Sequence, residues 1–170
     1  MMGYISIDKI KVELPIYHGT SEQVLSVAVG HLEGSSFPVG GLGTHSVLSA
    51  HRGLPSSKLF TDLNKLEIGD TFTVTILDRL ITYEVDQIEI VEPTDLKKLE
   101  INPEKDYITL MTCTPYGINT HRLVVTGERY EEIVAEDVEV EVNKISNRDL
   151  LFLAIPLLLI GVAIIFHYRN

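Results

Sequence analysis

Cysteine occurs once in the 170 residues, tryptophan not at all, and cations are scarce: 14 Lys and Arg stand against 24 Asp and Glu, a net charge of −10. The lone thiol, Cys113, cannot cross-link its own chain and cannot supply a multi-cysteine zinc site, so a disulfide framework and a zinc finger are both excluded. Nor does any histidine pair show the i,i+4 spacing of a helical metal site, so no metal is expected. An acidic surface argues against nucleic acid as a partner, because the phosphate backbone requires clustered cations. The start, MMGYISIDKI, lacks the 7–15-residue apolar run of a secretory signal. Disorder is ruled out by 45% hydrophobic residues.

One long apolar run is present. Residues 150–166 read LLFLAIPLLLIGVAIIF, without a charge or a strongly polar group. As a helix it would span roughly 25 Å, slightly less than a hydrocarbon core of ~30 Å, and a buried core helix would keep a polar face. Pro156 and Gly161 are compatible with a helix in lipid. A membrane anchor is therefore expected. Only Arg169 carries charge beyond it, so residues 1–149 hold the other 13 cations and all 24 acids, a net −11. Lys144 and Arg148 before the segment against Arg169 after it lean weakly towards a cytoplasmic main domain. The expected organisation is a domain over 1–142, a linker over 143–149, a transmembrane helix over 150–166 and a short tail over 167–170.

The remaining pattern is mainly β. Tyr4–Ile10, Val12–Tyr17, His45–Ala50, Thr71–Leu77, Leu80–Val91, Tyr107–Thr112 and Arg122–Thr126 alternate or are rich in β-branched residues. Asp78-Arg79 reads as a hairpin turn, and glycines 30, 34, 40, 41 and 43 mark a loop. Short helical stretches are predicted over Glu22–Val29, Leu59–Leu66 and Asp95–Leu99. This many short strands with turns between them predict a barrel or a sandwich.

Three side chains could carry chemistry. Cys113 ends the run DYITLMTC just before Thr114-Pro115-Tyr116-Gly117, a turn that places it at a strand end; a free cysteine is otherwise a small buried hydrophobe. A lone cysteine with a histidine elsewhere is a pattern for a nucleophile. His51 ends HSVLSAH and precedes the loop Arg52-Gly53-Leu54-Pro55, so it too belongs at a rim. Arg122 opens RLVVT nine residues after Cys113, near enough to return beside the thiol and to stabilise an oxyanion. Arg52 and Arg129 are rivals for that role, and His18, His31, His45, His121 and His167 are less favourably placed histidines.

TLMTCTPYGINTHRLVVTGER (109–129) and HRGLPSSKLFTDL (51–63), with the C-terminal apolar segment, resemble the sortases, in particular the pilin-polymerising class C. The resemblance runs over residues 4–166. It implies a closed eight-stranded β-barrel with short helices and an active site on its rim, where His51, Cys113 and Arg122 match the family's catalytic residues. Thr112 and Tyr116, beside the cysteine, are expected in the substrate groove. The implied reaction is cleavage of a Leu-Pro-x-Thr-Gly-like sorting signal between Thr and Gly through a Cys113 thioester, with transfer to a pilin lysine and no cofactor. The implied partners are pilins or surface proteins that bear the signal. Family topology would place the domain outside the cell, overriding the charge count, with a monomer as the default state. Class C enzymes commonly carry an N-terminal Asp-Pro-aromatic lid, and nothing before Gly3 could hold it, so a shortened start is expected. Thr126 stands where many relatives have a basic residue. The competing readings are a sortase that uses peptidoglycan precursors as acceptors, and a membrane-tethered β-barrel without catalysis. A papain-like protease is disfavoured, because its cysteine precedes its histidine and no papain-type motif surrounds Cys113.

Overall fold

The computed structural model describes residues 1–54, 57–95 and 97–130. The expected linker, membrane helix and tail at 143–170 lie outside the described residues, among which no helix is long and apolar enough to cross a membrane. Eight strands form a closed barrel: β1 (Gly3–Ile7), β2 (Val12–His18), β3 (Val29–His31), β4 (Thr44–Ser49), β5 (Thr71–Ile76), β6 (Arg79–Val91), β7 (Asp106–Thr114) and β8 (His121–Arg129). Their order around the barrel is β1-β2-β3-β4-β7-β8-β6-β5, closing back on β1. Closure leaves no edge strand to pair with another chain. Two neighbouring pairs, β2 with β3 and β4 with β7, are parallel, and the others are antiparallel.

Period-two alternation sorts the side chains. Ile5 and Ile7, Leu48 and Ala50, Phe72 and Val74, Ile81, Tyr83 and Val85, Ile108 and Leu110, and Leu123 and Val125 point inward and form one core. Leu59, Phe60, Leu63 and Leu66, all buried, join it from the β4–β5 connection. On β6 a bulge at Asp86, between Val85 and Gln87, inserts one residue against β8 and shifts the alternation beyond it.

The predicted strands agree with observed ones to within a few residues, β3 is additional to them, and two of the other differences have local causes. The β5–β6 turn is Leu77-Asp78, one residue earlier than expected. Both turn residues have positive φ (50° and 62°), and the short polar side chain of Asp78 tolerates that geometry better than Arg79 would. The helix predicted over Glu22–Val29 is a single turn, α1 (Glu22–Leu25), because Val29–His31 leaves to form β3. There Gly30 allows the close approach, since a Cβ would lie 2.5 Å from the Gly19 carbonyl oxygen. The stretch at 59–66 is turns and a short 3-10 helix (Leu63–Lys65), and that at 95–99 reduces to Lys97–Leu99.

On the outer face a polar chain crosses three strands. His45 Nδ1 must donate to the Glu100 carbonyl (3.0 Å), which can only accept. In the neutral ring Nε2 then accepts from Thr109 Oγ1 (2.7 Å), whose oxygen in turn accepts from Thr126 Oγ1 (2.8 Å). This chain ties β4, β7 and β8 to the β6–β7 connection, which walls the groove described below. At one end of the barrel the buried carboxylate of Asp106 receives Tyr83 Oη (3.2 Å) and the Gly41 N–H, while Thr44 Oγ1, 3.3 Å from it, donates to the Gly41 carbonyl (2.6 Å). Desolvation and that carboxylate push the Tyr83 phenol far above its ordinary range, so it stays a donor.

Two predictions follow from this packing. A Cβ on Gly127 would lie 2.5 Å from Phe72 Cε1 and 3.0 Å from Tyr83 Cβ, against two stacked rings. Gly127→Ala is expected to cost about 1–3 kcal/mol by overpacking, read from urea unfolding; an unchanged midpoint would mean that the rings yield freely. Burial holds His45 below its ordinary value of 6.5, opposed by the Glu100 hydrogen bond. The native ring therefore resists a proton that the unfolded chain accepts. The His45 contribution is complete above pH 6.5 and is lost as the pH falls below it. His45→Asn, whose amide can still donate to Glu100, is expected to lose less stability on acidification than the unsubstituted protein. Parallel pH–stability curves for the two would refute this.

Candidate active site

Cys113 lies near the end of β7 and faces Arg122 directly across the β7–β8 ladder. Alternation sends both outward: Thr112 and Leu123, their chain neighbours, are 2% and 5% exposed, whereas Cys113 and Arg122 are half-buried on the outer face. His51 follows β4, which runs parallel to β7 in the register Ser49↔Met111. The ladder continues one residue past the strand, with the Ala50 N–H on the Met111 carbonyl at 3.2 Å. Two steps on from Ser49, that register sets His51 abreast of Cys113. Two of the three predicted residues thus lie on adjoining strands, and the third two residues past the next strand, at one end of the barrel.

Arg122 and its rivals differ in what holds them. Arg52 donates to the Thr61 carbonyl (3.1 Å), Thr114 Oγ1 (3.3 Å) and Asn64 Oδ1 (2.7 Å), and stacks over the Tyr116 ring at 5.8 Å. Each of its three nitrogens thus donates once, to the loop that follows His51 or to the end of β7. Arg129 lies seven residues along β8 from Arg122, about 20 Å away, beside Asp106 (3.5 Å). Among the described residues, Arg122 makes backbone bonds through Nη1 alone, to the carbonyls of His121 (3.0 Å) and Asn119 (3.4 Å). Its position opposite the thiol and its remaining donors fit it to receive a developing oxyanion.

A cavity of about 140 Å³ opens beside Arg122, floored by Met111 and Val124 and walled by Leu32, Val91, Pro93 and Leu99. A further hollow of about 320 Å³ shares Leu32 and Leu99 and reaches Val47 on β4. Together they make a largely apolar groove over the outer faces of β4, β7 and β8. Another hollow, lined by Glu84, Asp86 and Glu128, lies towards the Arg129 end of β8, away from the cysteine.

Thr112, expected in this groove, is not part of it. Its position on β7 turns it to the inner face, where Oγ1 donates to the Ala50 carbonyl at 2.8 Å and fixes the approach to His51. Met111, two residues before Cys113 and on the same face, takes that place; the period-two spacing already carried the signal. Tyr116 is exposed at the rim beneath Arg52.

The other described histidines have local partners. His31 Nε2 donates to the Ser36 carbonyl (2.9 Å), so in the neutral ring its Nδ1 accepts from His18 Nδ1 (3.1 Å). His121 Nε2 lies 3.3 Å from Glu92, across the groove wall. His167 lies outside the described residues. One further acid reaches the site without a local sequence signal: the Glu22 carboxylate, on α1, meets His51 Nε2 at 3.1 and 3.2 Å.

Comparison with known proteins bears on the fold and the family. The family model described as "Sortase domain" matches residues 5–130. Sortase D of Bacillus subtilis is 32% identical over 130 residues, covering 75% of this chain and 63% of its own length. The chain spans 40–63% of the length of the curated relatives it matches. Among solved structures, sortase C1 of Streptococcus agalactiae is 64% identical with a TM-score of 0.75, covering 76% of this chain and 67% of that one. A group B Streptococcus pilus island 1 sortase C2 is 57% identical with a TM-score of 0.74, covering 76% of this chain and 73% of its own. A family match over residues 5–130, carried on a closed eight-stranded barrel with Cys113 facing Arg122, makes this chain a member of the sortase family.

Proposed function

We propose that this protein is a cysteine transpeptidase that cleaves a Leu-Pro-x-Thr-Gly-like sorting signal between Thr and Gly and passes the acyl group to a pilin lysine. The observation that carries the reading is the meeting of Cys113, Arg122 and His51 at one end of β7, β8 and β4. The pilus assignment is supported by the sortase C neighbours, one of which is a pilus-island enzyme.

In this reading the Leu and Pro of the signal lie along the apolar groove by Met111 and Val124, and the Thr carbonyl reaches Cys113. The Cys113 thiolate attacks that carbon, forming a C–S bond, while negative charge gathers on the carbonyl oxygen beside the Arg122 guanidinium. A fixed cation there is worth more than in water, because it needs no reorganisation as the charge forms. The C–N bond to Gly then breaks, and protonated His51 supplies the proton that the leaving amine needs. A lysine amine attacks the thioester, gives up its proton to His51, and releases Cys113 with an isopeptide bond formed. The segment 150–166 would hold the barrel at the outer face of the cell membrane, where sorting signals and pilins meet.

The test is intact-mass spectrometry of the protein incubated with a sorting-signal peptide, with and without a pilin domain and a cell-wall peptide in competition. The expected result is a mass gain on Cys113 equal to the peptide cleaved after Thr, passed preferentially to the pilin. Cys113→Ala should abolish the adduct and retain the fold, and Arg122→Ala should slow acylation about 100-fold. Full activity in Cys113→Ala would overturn the assignment. Preferential transfer to the wall amine would replace the pilus reading with the anchoring one.

A further inference from the structure

Resting on that transpeptidase reading, we infer that Glu22 is a positioning residue for His51, holding the ring through Nε2 so that Nδ1 is the nitrogen that carries protons to and from the reacting groups. Both Glu22 oxygens lie within hydrogen-bond reach of Nε2, at 3.2 and 3.1 Å. An ionised carboxylate has no proton to give, so Nε2 must be the donor and carries N–H in this contact. Whatever proton His51 exchanges with a leaving or attacking amine therefore moves through Nδ1. A second restraint acts on the same residue, since the His51 carbonyl accepts the Phe60 N–H at 3.1 Å. The backbone is thus held from the β4–β5 connection and the ring from α1.

The arrangement follows from the fold. α1 lies within the connection that carries β2 across to its parallel partner β3, and β3 is the neighbour of β4. The crossover therefore delivers its first helical residue above the end of β4, where His51 begins. Other polar contacts near the site have different partners. Arg52 serves Thr61, Asn64 and Thr114, and Glu92 pairs with His121. Glu22 is the acid given to His51.

The Glu22 side chain is 78% exposed, so its removal leaves no buried group unpaired and should leave the barrel stable. An exposed pair of this kind corresponds to a rate effect of about three- to five-fold. The step that feels it is protonation of the leaving amine as the C–N bond breaks. A thioester substrate, whose thiolate leaves without that proton, should not feel it.

The experiment compares Cys113 acylation rates for the unsubstituted protein, Glu22→Ala and Glu22→Gln, using a sorting-signal peptide and the same sequence with a thioester at the Thr–Gly junction. Glu22→Ala should slow acylation by the amide about three- to five-fold with KM unchanged, and leave the thioester rate as it was. Glu22→Gln, which keeps an oxygen to accept the Nε2 proton, should recover most of the loss. Equal amide rates in the unsubstituted protein and Glu22→Ala would overturn the role, as would an equal slowing of amide and thioester, which would point to a displaced α1. Failure of the unsubstituted protein to acylate would instead count against the transpeptidase reading, so the two failures are distinguishable.

Discussion

The parallel ladder between β4 and β7 determines where the chemistry can be. Its register runs from Thr44↔Asp106 to Ser49↔Met111, and the Ala50 N–H and carbonyl extend it through Met111 and Thr112. A slip of one residue would turn His51 or Cys113 to the other face of the sheet, because strand side chains alternate strictly. The slip is opposed from both sides. Leu48 and Ala50 inside the barrel would lose the core, and His45 outside it would lose Thr109 and Glu100. The antiparallel β7–β8 ladder then adds Arg122 opposite Cys113, with Leu123 and Val125 locked inward.

Around this frame the polar side chains divide the work. Arg52 and Thr112 flank His51 and Cys113 in the chain, and each makes a bond towards the other residue's strand or loop: Arg52 to Thr114, and Thr112 to Ala50. These crossed ties hold the two ends together without occupying the thiol or the imidazole. Arg122 is anchored, among the described residues, to nearby carbonyls through Nη1. A guanidinium serves structure or transition state according to what surrounds it, and here the two arginines are separated by their partners.

The groove repeats that division. Its floor is strand and its walls are mostly connections, with Leu32 following β3, Val91 ending β6, and Pro93 and Leu99 lying between β6 and β7. Backbone outside a sheet needs anchors if it is to shape a site. The neutral His45 supplies one by donating to Glu100, and His121 supplies another beside Glu92. The groove surface is largely apolar, with Glu92, Asp95 and Arg122 lining one hollow and Glu33 and Glu100 the other.

Much of this was legible in the chain. Alternation in TFTVTIL and LITYEVDQIEIV located β5 and β6, and turn residues after Cys113 and His51 placed both at strand ends. The motif around Cys113 pointed to the family. Alternation also implied that Met111, rather than Thr112, shares the face of Cys113. What the chain could not reveal is which strands lie side by side. β4 and β7 are separated by two intervening strands, so their pairing depends on barrel closure and core packing rather than on local propensity. Nor does the chain reveal that Arg52 is bonded to Thr61, Thr114 and Asn64 while Arg122 bonds to the carbonyls of Asn119 and His121. Glu22 met His51 only because a short crossover places α1 above the end of β4, a contact between residues 29 apart that no local pattern encodes. Local alternation and turn chemistry determined the strands and the rim positions; long-range pairing under a shared core decided which rim residues became a site.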